Sequence, residues 1–548
     1  MENNCYIGVD VGTGSVRAAL VCHNGEICRT STKDIKTWNP KRDFYEQSSN
    51  DIWKCCCEAI KEVSKGVDAA LIKGIGFDAT CSLVVIGEDD GPLTVSPTGE
   101  KEQNIILWMD HRAKAEAEFI NRNNPEVLKY TGGSISLEMQ TPKLMWLKKN
   151  ANETWKKAKY YFDLADYLTW KATGDDSRSL GTVVYKWTYI NGPEEKKGWS
   201  RDYFSLINLE ELLENDAKKI GNHIRPLGEN CGNGLTETSA CEMGLQPGTP
   251  VATGLIDAHA GALGLLGSYA PNISADLESR IVLICGTSTC HMIVSKYPVF
   301  VTGVWGPYCS ALIPGMWLNE AGQSATGKLI DYVILTHPAA STIEKKTGGK
   351  THIQKYLNDL LKKMAAAKRL DSVSRLTSRL HVWPDFHGNR SPLADPTLLG
   401  MMSGLSLACD EEDLALKYLS VMQSLVYGTR HILDTLKTRG FDKLETVLIY
   451  GGLSKNQIFV QSHADILGVP VLRPKAREPV LLGAAMVGSI AAGGYGTIEE
   501  AMYCMAGESE VYQPNRDDEM YHSKKYEVFL KMVEDQRSYD TAMAGFTS

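Results

Sequence analysis

The sequence predicts an α/β protein built as two halves, and three observations carry that expectation. Apolar strand-like runs alternate with helical ones along the chain, the pattern of sheets covered by helices. A strand, a turn built on Gly-Thr with a hydroxyl, and a second strand occur twice, as Tyr6–Val21 (YIGVDVGTGSVRAALV) and as Ile281–Ser295 (IVLICGTSTCHMIVS). A turn-like segment at Tyr269–Asn272 divides the 548 residues nearly evenly, and about 270 residues suffice for an independent core on either side. The expected halves are therefore 1–270 and 271–548.

In order along the first half, the hairpin from Tyr6 is followed by Asn24-Gly25, a dipeptide suited to a tight turn. Helical periodicity follows at Asp51–Ser64, then an apolar strand at Ile72–Phe77, helices at Asp110–Arg122 and Pro142–Lys149, and a strand at Pro250–Ile256. After the second hairpin, helices are expected near Tyr356–Arg379 and Asp410–Thr438, with a strand at Thr446–Tyr450. Two uncharged stretches, Tyr297–Asn319 and Pro479–Ile498, approach the length of a bilayer span. Pro298, Pro307 and Pro314 break the first, and Gly493-Gly494 ends the second after a short apolar helix from Val480, so both are read as core.

Composition narrows the function classes. With 58 basic and 66 acidic residues the chain carries a formal charge of −8, which gives no electrostatic reason to expect a nucleic-acid partner. No membrane partner is expected either. Fourteen cysteines without a Cys-x-x-Cys pair read as reduced thiols rather than a zinc site. The opening MENNCYIGVDVG has no basic leader before an apolar segment, so the expected location is cytoplasmic. Glycine is the one skewed residue, 49 in all, about 9% against a usual 7%.

Three glycine-rich turns are candidates for binding phosphate. Asp10-Val-Gly-Thr-Gly-Ser15 begins like a dinucleotide fingerprint, but Arg17 stands at the third glycine, and a strand rather than a helix follows. Such a hairpin can still cradle an anion with its backbone N–H groups, and Asp10 would hold Mg²⁺ through water; an ordinary tight hairpin accounts for the same residues. Gly322–Lys328 fits a Walker A loop until Leu329 replaces the metal-binding hydroxyl. Gly451-Gly452 ends a strand, with Asn456 before the next helix as cap or ligand.

Two phosphate hairpins and a strand-Gly-Gly-helix, in this order, resemble the FGGY carbohydrate kinases of the actin, Hsp70 and sugar-kinase superfamily. The resemblance runs from Tyr6 to about Gly494 and includes Phe77–Cys81, Trp108–Arg112, Gln140–Trp146, Asp257–Gly261, His387–Pro392 and Glu478–Ala485. Within the family it points to the ribulokinase-like members, in particular the D-ribulokinase branch. It implies two actin-like (ribonuclease H-like) ATPase domains with ATP and sugar in the cleft between them, and transfer of phosphate to a ketopentose, D-ribulose to D-ribulose 5-phosphate, with Mg²⁺. By the same resemblance Asp257 is the general base, with Asp78, Thr80, Lys186 and Glu320 beside it on the sugar. Gly12, Thr13, Gly14, Ser15, Arg17, Gly286, Thr287 and Ser288 face the phosphates, Gly327 lies near the ribose, and Gly451, Gly452 and Asn456 lie on the adenosine side.

Simpler readings stand beside these. Asp257 suits a helix N-cap, and a Lys and a Glu are ordinary surface residues. An Asp at its usual pKa of about 3.9 is ionised and a weak base. Lys417 stands where the family has a small residue, which concerns helix packing there. Another pentulose or pentitol (xylulose, L-ribulose, ribitol) fits the same pattern; an actin- or chaperone-type ATP switch, or a P-loop NTPase built on Gly322–Lys328, would be a different class. Small-molecule sugar and ATP are the expected partners, and self-association is left open. The acidic balance implies that ATP is held by backbone N–H groups and Mg²⁺ more than by lysine clusters.

Overall fold

The computed structural model describes residues 4–192, 197–475 and 478–546. Each half has one principal sheet, the first half also carrying a separate four-stranded one, and the two principal sheets share a pairing scheme. In the first, Cys5–Val11 runs antiparallel to Ser15–Cys22, which pairs with Ile27–Asp34; on its other side Cys5–Val11 runs parallel to Ile72–Ala79, and that strand to Leu255–Ile256. In the second, Arg280–Cys285 runs antiparallel to Thr289–Ser295, which pairs with Trp317–Gln323; its other neighbours, Thr446–Tyr450 and then Val471–Pro474, are parallel. Strands Trp305–Cys309 and Ser509–Tyr512 extend this sheet at its two edges. The repeated strand-turn-strand of the sequence is thus the start of a repeated sheet.

The expected elements form with shifted ends. Helix Ser49–Ser64 starts at Ser48, whose hydroxyl accepts the Asp51 N–H, and helix Glu411–Lys437 starts at Asp410, whose carboxylate accepts the Asp413 N–H. The helix expected to begin at Asp110 begins at Lys114 instead. The long helix expected to reach Arg379 ends at Ala367, because Arg369 takes a left-handed conformation (φ 54°); a 3₁₀ turn, Val373–Thr377, follows. Only Leu255–Ile256 of the strand expected at Pro250–Ile256 is regular, although Ala252 still donates to the Ile75 carbonyl. Lys417 causes no packing fault, since its ammonium lies 2.7 Å from Asp413 one turn away.

The apolar helix near the end of the chain, Pro479–Ala491, has eleven buried residues in succession from Pro479 to Ser489. It packs on the first sheet although it lies in the second half of the sequence, wedged between strands Cys5–Val11 and Ile72–Ala79 on one side and helix Asp257–Leu266 on the other. Glycines make this approach possible. A Cβ on Gly8 would lie 2.0 Å from the Leu481 carbonyl oxygen, one on Gly76 1.9 Å from that of Ala484, and one on Gly483 1.9 Å from that of Ala260. Backbone meets backbone, and no side chain can yield. Gly483→Ala is therefore expected to cost about 3 kcal/mol or more and to lower the thermal unfolding midpoint, whereas Gly507→Ala, with nothing within 4 Å of its Cβ, leaves the midpoint within error.

Candidate active site

The two hairpin turns meet at a cavity of about 580 Å³. Its wall includes Asp10, Gly12, Thr13, Gly14, Ser15 and Arg17 of the first hairpin, Gly286, Thr287 and Ser288 of the second, and Thr80, Lys186, Asp257 and Glu320. Thirteen of the residues singled out from the sequence therefore share one space. A second cavity of about 990 Å³ shares Gly286 and Thr287 with the first and continues past Gly327, Gly452 and Asn456.

Two expected residues are placed elsewhere. Asp78 lies beside Asp10 across paired strands, fully buried, and is not on the cavity wall. Gly451 is absent from both walls; its φ of 107° and the Cys285 carbonyl, 2.3 Å from where its Cβ would be, explain the glycine by strand packing. Asn456 does line the larger cavity, but its side chain is committed: Oδ1 accepts from the Ile458 and Phe459 N–H groups, and Nδ2 donates to the Tyr418 hydroxyl. It is the helix cap.

At the glycines of the turns no fold-based reason applies. A Cβ on Gly14 or Gly452 would meet nothing within 4 Å, and one on Gly12 or Gly286 only a turn carbonyl at 3.6 or 3.8 Å. These positions leave open a cradle that side chains would fill, which fits phosphate against backbone. Gly327 differs, since its Cβ would lie 2.6 Å from the Gly286 carbonyl. The amides of Thr326, Gly327 and Lys328 donate to the Thr287, Gly286 and Thr287 carbonyls. A Walker loop would turn those amides to phosphate, so Gly322–Lys328 instead braces the second hairpin.

Asp257 is the first residue of helix Asp257–Leu266, not its cap, which is Ile256. Its Oδ1 accepts the Ala258 N–H at 2.7 Å. Burial first, and the charge of Asp10 second, push its carboxyl up to about 6, so it is not the unshifted acid expected from sequence. Burial and Asp10 raise Asp78 as well, and both its oxygens lack hydrogen-bond partners. Arg17 bonds Asp10 through Nε at 2.8 Å and reaches Glu478 at 2.6 Å, tying the first hairpin to the start of the wedged helix.

Lys186 ends helix Leu180–Lys186, buried over the rings of Tyr185 (4.5 Å) and Trp305 (4.4 Å). Burial opposes its charge, yet Cys81, Glu138 and Glu320 hold its ammonium above the ordinary value. Glu320 sits mid-strand, 3.7 Å from His259; against its burial, His259 and then Lys186 hold its carboxyl below the usual range. Sequence reasoning assigned no role to Glu138, Trp108, Trp305 or Arg390, which also line the cavity. Trp108 and Arg390 lay inside quoted motifs, and Glu138 two residues before another. Arg112 of the Trp108 motif is structural: fully buried, it bonds Glu46 and Asp110, each at 2.8 Å. The larger cavity also holds Lys328, Lys355, Lys362 and Lys455, the lysine cluster that the acidic net charge argued against. Local charge at a site is independent of the chain's total.

Comparison with known proteins agrees with this geometry. Residues 5–264 match the N-terminal domain of the FGGY family of carbohydrate kinases and residues 281–492 its C-terminal domain. An FGGY carbohydrate kinase domain-containing protein of Xenopus laevis is 50% identical over 99% of this chain and 98% of its own. A D-ribulokinase of Saccharomyces cerevisiae is 36% identical over 95% of this chain and 76% of its own. Among solved structures, the xylulose kinase from Rhodospirillum rubrum superposes with a TM-score of 0.78 at 18% identity, covering 98% of this chain and 99% of its own, which shows the fold. The chain belongs to the FGGY family of carbohydrate kinases, enzymes that transfer phosphate to sugars, and has that family's two-domain actin-like fold.

Proposed function

We propose that this kinase phosphorylates a ketopentose, D-ribulose to D-ribulose 5-phosphate, at the expense of ATP. The observation that carries the reading is a half-buried carboxylate, Asp257, on one wall with two open glycine hairpins and with Lys186 and Glu320. The name of the yeast relative supports ribulose, and that of a ribulokinase of Shouchella clausii, 29% identical over 96% of this chain, supports a pentulose. The sugar-side groups argue against a pure ATP switch, which needs none of them.

Asp257 accepts the proton of the attacking hydroxyl. Near pH 7 a carboxyl at about 6 is mostly ionised, yet more basic than an exposed aspartate, and late proton removal in a loose transition state asks no more. Lys186 donates to sugar oxygens, Glu320 accepts from sugar hydroxyls, and the hairpin amides receive the phosphates. Asp10 on the wall and Asp78 behind it, with two unpartnered buried oxygens, offer the hard donors that suit Mg²⁺. When bound, that ion draws charge from the β- and γ-phosphates. Two domains closing on the cleft would keep water from taking the phosphate.

Asp257→Asn is expected to cut sugar-dependent ADP release by about 10³-fold while ATP affinity, measured by calorimetry, changes less than about twofold; retained turnover sinks the assignment. Gly14→Ala fills the cradle without touching the fold. It is expected to raise KM for ATP about tenfold at an unchanged unfolding midpoint. A coupled ADP assay across pentuloses and pentitols is expected to give D-ribulose the highest kcat/KM, with xylulose, L-ribulose and ribitol below it.

A further inference from the structure

Among the described residues, Glu138 is the cleft carboxylate with a cation on each oxygen. Its Oε2 lies 3.4 Å from Lys186 Nζ, in the first half of the chain, and its Oε1 lies 3.2 Å from Arg390 Nη2, in the second half. The bond to Arg390 therefore crosses the cleft. Lys186 and Arg390 also share the Trp305 ring, at 4.4 and 5.3 Å from its centroid.

Both residues sit on braced backbone. The Ser391 hydroxyl, next to Arg390, donates to the Gly303 carbonyl and accepts the Gly322 N–H, two residues along the strand from Glu320. Arg390 lies over Gly322, where a Cβ would be 3.2 Å from its Nη1. On the other wall, the buried Lys143 ammonium bonds the Leu107 carbonyl at 3.0 Å and the Glu138 carbonyl at 3.4 Å, fixing the main chain beneath the carboxylate. Although its side chain is only 16% exposed, Arg390, Lys186 and Lys143 keep the Glu138 carboxyl below the usual range, so it stands in the cavity as an acceptor with its charge intact.

We infer that Glu138 is a specificity-determining residue, accepting a hydrogen bond from a sugar hydroxyl other than the one that attacks, and that Arg390 is the positioning residue that delivers this acceptor only when the two halves are together. This rests on the sugar-kinase reading of the cleft. A carboxylate held in place by Arg390 on one oxygen and Lys186 on the other discriminates hydroxyl configuration, because a sugar whose hydroxyl points away leaves one acceptor site of the cleft unmade. It also makes recognition of the sugar depend on closure.

The test uses the full-length enzyme and Glu138→Gln, Arg390→Met, Arg390→Lys and the Glu138→Gln/Arg390→Met pair. For the preferred sugar, Glu138→Gln is expected to raise KM at least tenfold and to shrink its kcat/KM advantage over epimers, with KM for ATP within twofold. Arg390→Met is expected to show the same sugar-selective pattern, Arg390→Lys to recover part of it, and the double variant to be no worse than the poorer single one. Sugar-independent ATP hydrolysis is expected to rise relative to sugar phosphorylation in Arg390→Met. Additive losses, or equal losses for ATP and sugar, overturn the pairing. Amide exchange of the sugar-free protein supplies an arm that needs no substrate: Arg390→Met is expected to deprotect the segment around Glu138, and unchanged exchange there overturns the cross-cleft bond. If the wild type phosphorylates no sugar while the exchange result holds, the functional reading fails and the bond stands.

Discussion

The site depends on a contact that contains no catalytic group, the passage of helix Pro479–Ala491 between the first sheet and helix Asp257–Leu266. Asp10 is carried by strand Cys5–Val11 and Asp257 by the first turn of helix Asp257–Leu266. Both elements touch the wedged helix through glycine, Gly8 on the strand and Gly483 on the helix itself. Side chains at such contacts would act as compliant spacers, whereas main chain against main chain sets the separation rigidly. The distance between the two carboxylates is thus fixed by backbone geometry. The Arg17–Glu478 ion pair pins the helix start to the same hairpin.

Around that frame, burial acts on Glu138, Glu320, Asp257 and Asp78 alike, and the charges beside each decide the outcome. Glu138 and Glu320 are kept ionised by Arg390 and by His259 with Lys186. Asp257 and Asp78 have like charges as their nearest strong influence after burial, and both are pushed upward. Carboxylates that hold hydroxyls must accept hydrogen bonds without taking the proton, whereas one that receives a proton gains from a raised affinity for it. The division of shifts matches the division of labour that the proposed function assigns between sugar binding and proton transfer.

The hairpins were legible in the sequence because strand-turn-strand patterns are local, whereas Thr80, Lys186, Asp257 and Glu320 were reached through the family resemblance alone. Gly12, Gly14 and Gly286 were recognisable for the same reason: a turn carries its purpose within a few residues. Long-range facts were not legible. That helix Pro479–Ala491 would join the other half's sheet is visible only once Gly8 and Gly76 are seen opposite its carbonyls. Asn456 was open to two readings, and its hydrogen bonds to the Ile458 and Phe459 N–H groups and to Tyr418, 38 residues away, show the cap. Glu138 escaped because a carboxylate among exposed-looking residues gains meaning from Arg390, 252 residues on.

The two sheets are copies in pairing but not in charge, and that asymmetry explains how one cleft performs a directional transfer. With the Gly-Thr turns superposed in sequence, Asp10 and its cross-strand partner Arg17 in the first hairpin correspond to Ile284 and its partner Cys290 in the second. Both pairs line the same cavity. A second acidic strand end would place another carboxylate where phosphate oxygens approach, and an anion resists that neighbour strongly in a water-poor cleft. In the proposed reaction the neutral hairpin would offer phosphate its backbone and the Thr287 and Ser288 hydroxyls, while the charged one sets Asp10 on the same wall as Asp257. On the proposed function, neutralising one copy would let the repeated turn hold the same group from two sides while only one side carries the chemistry.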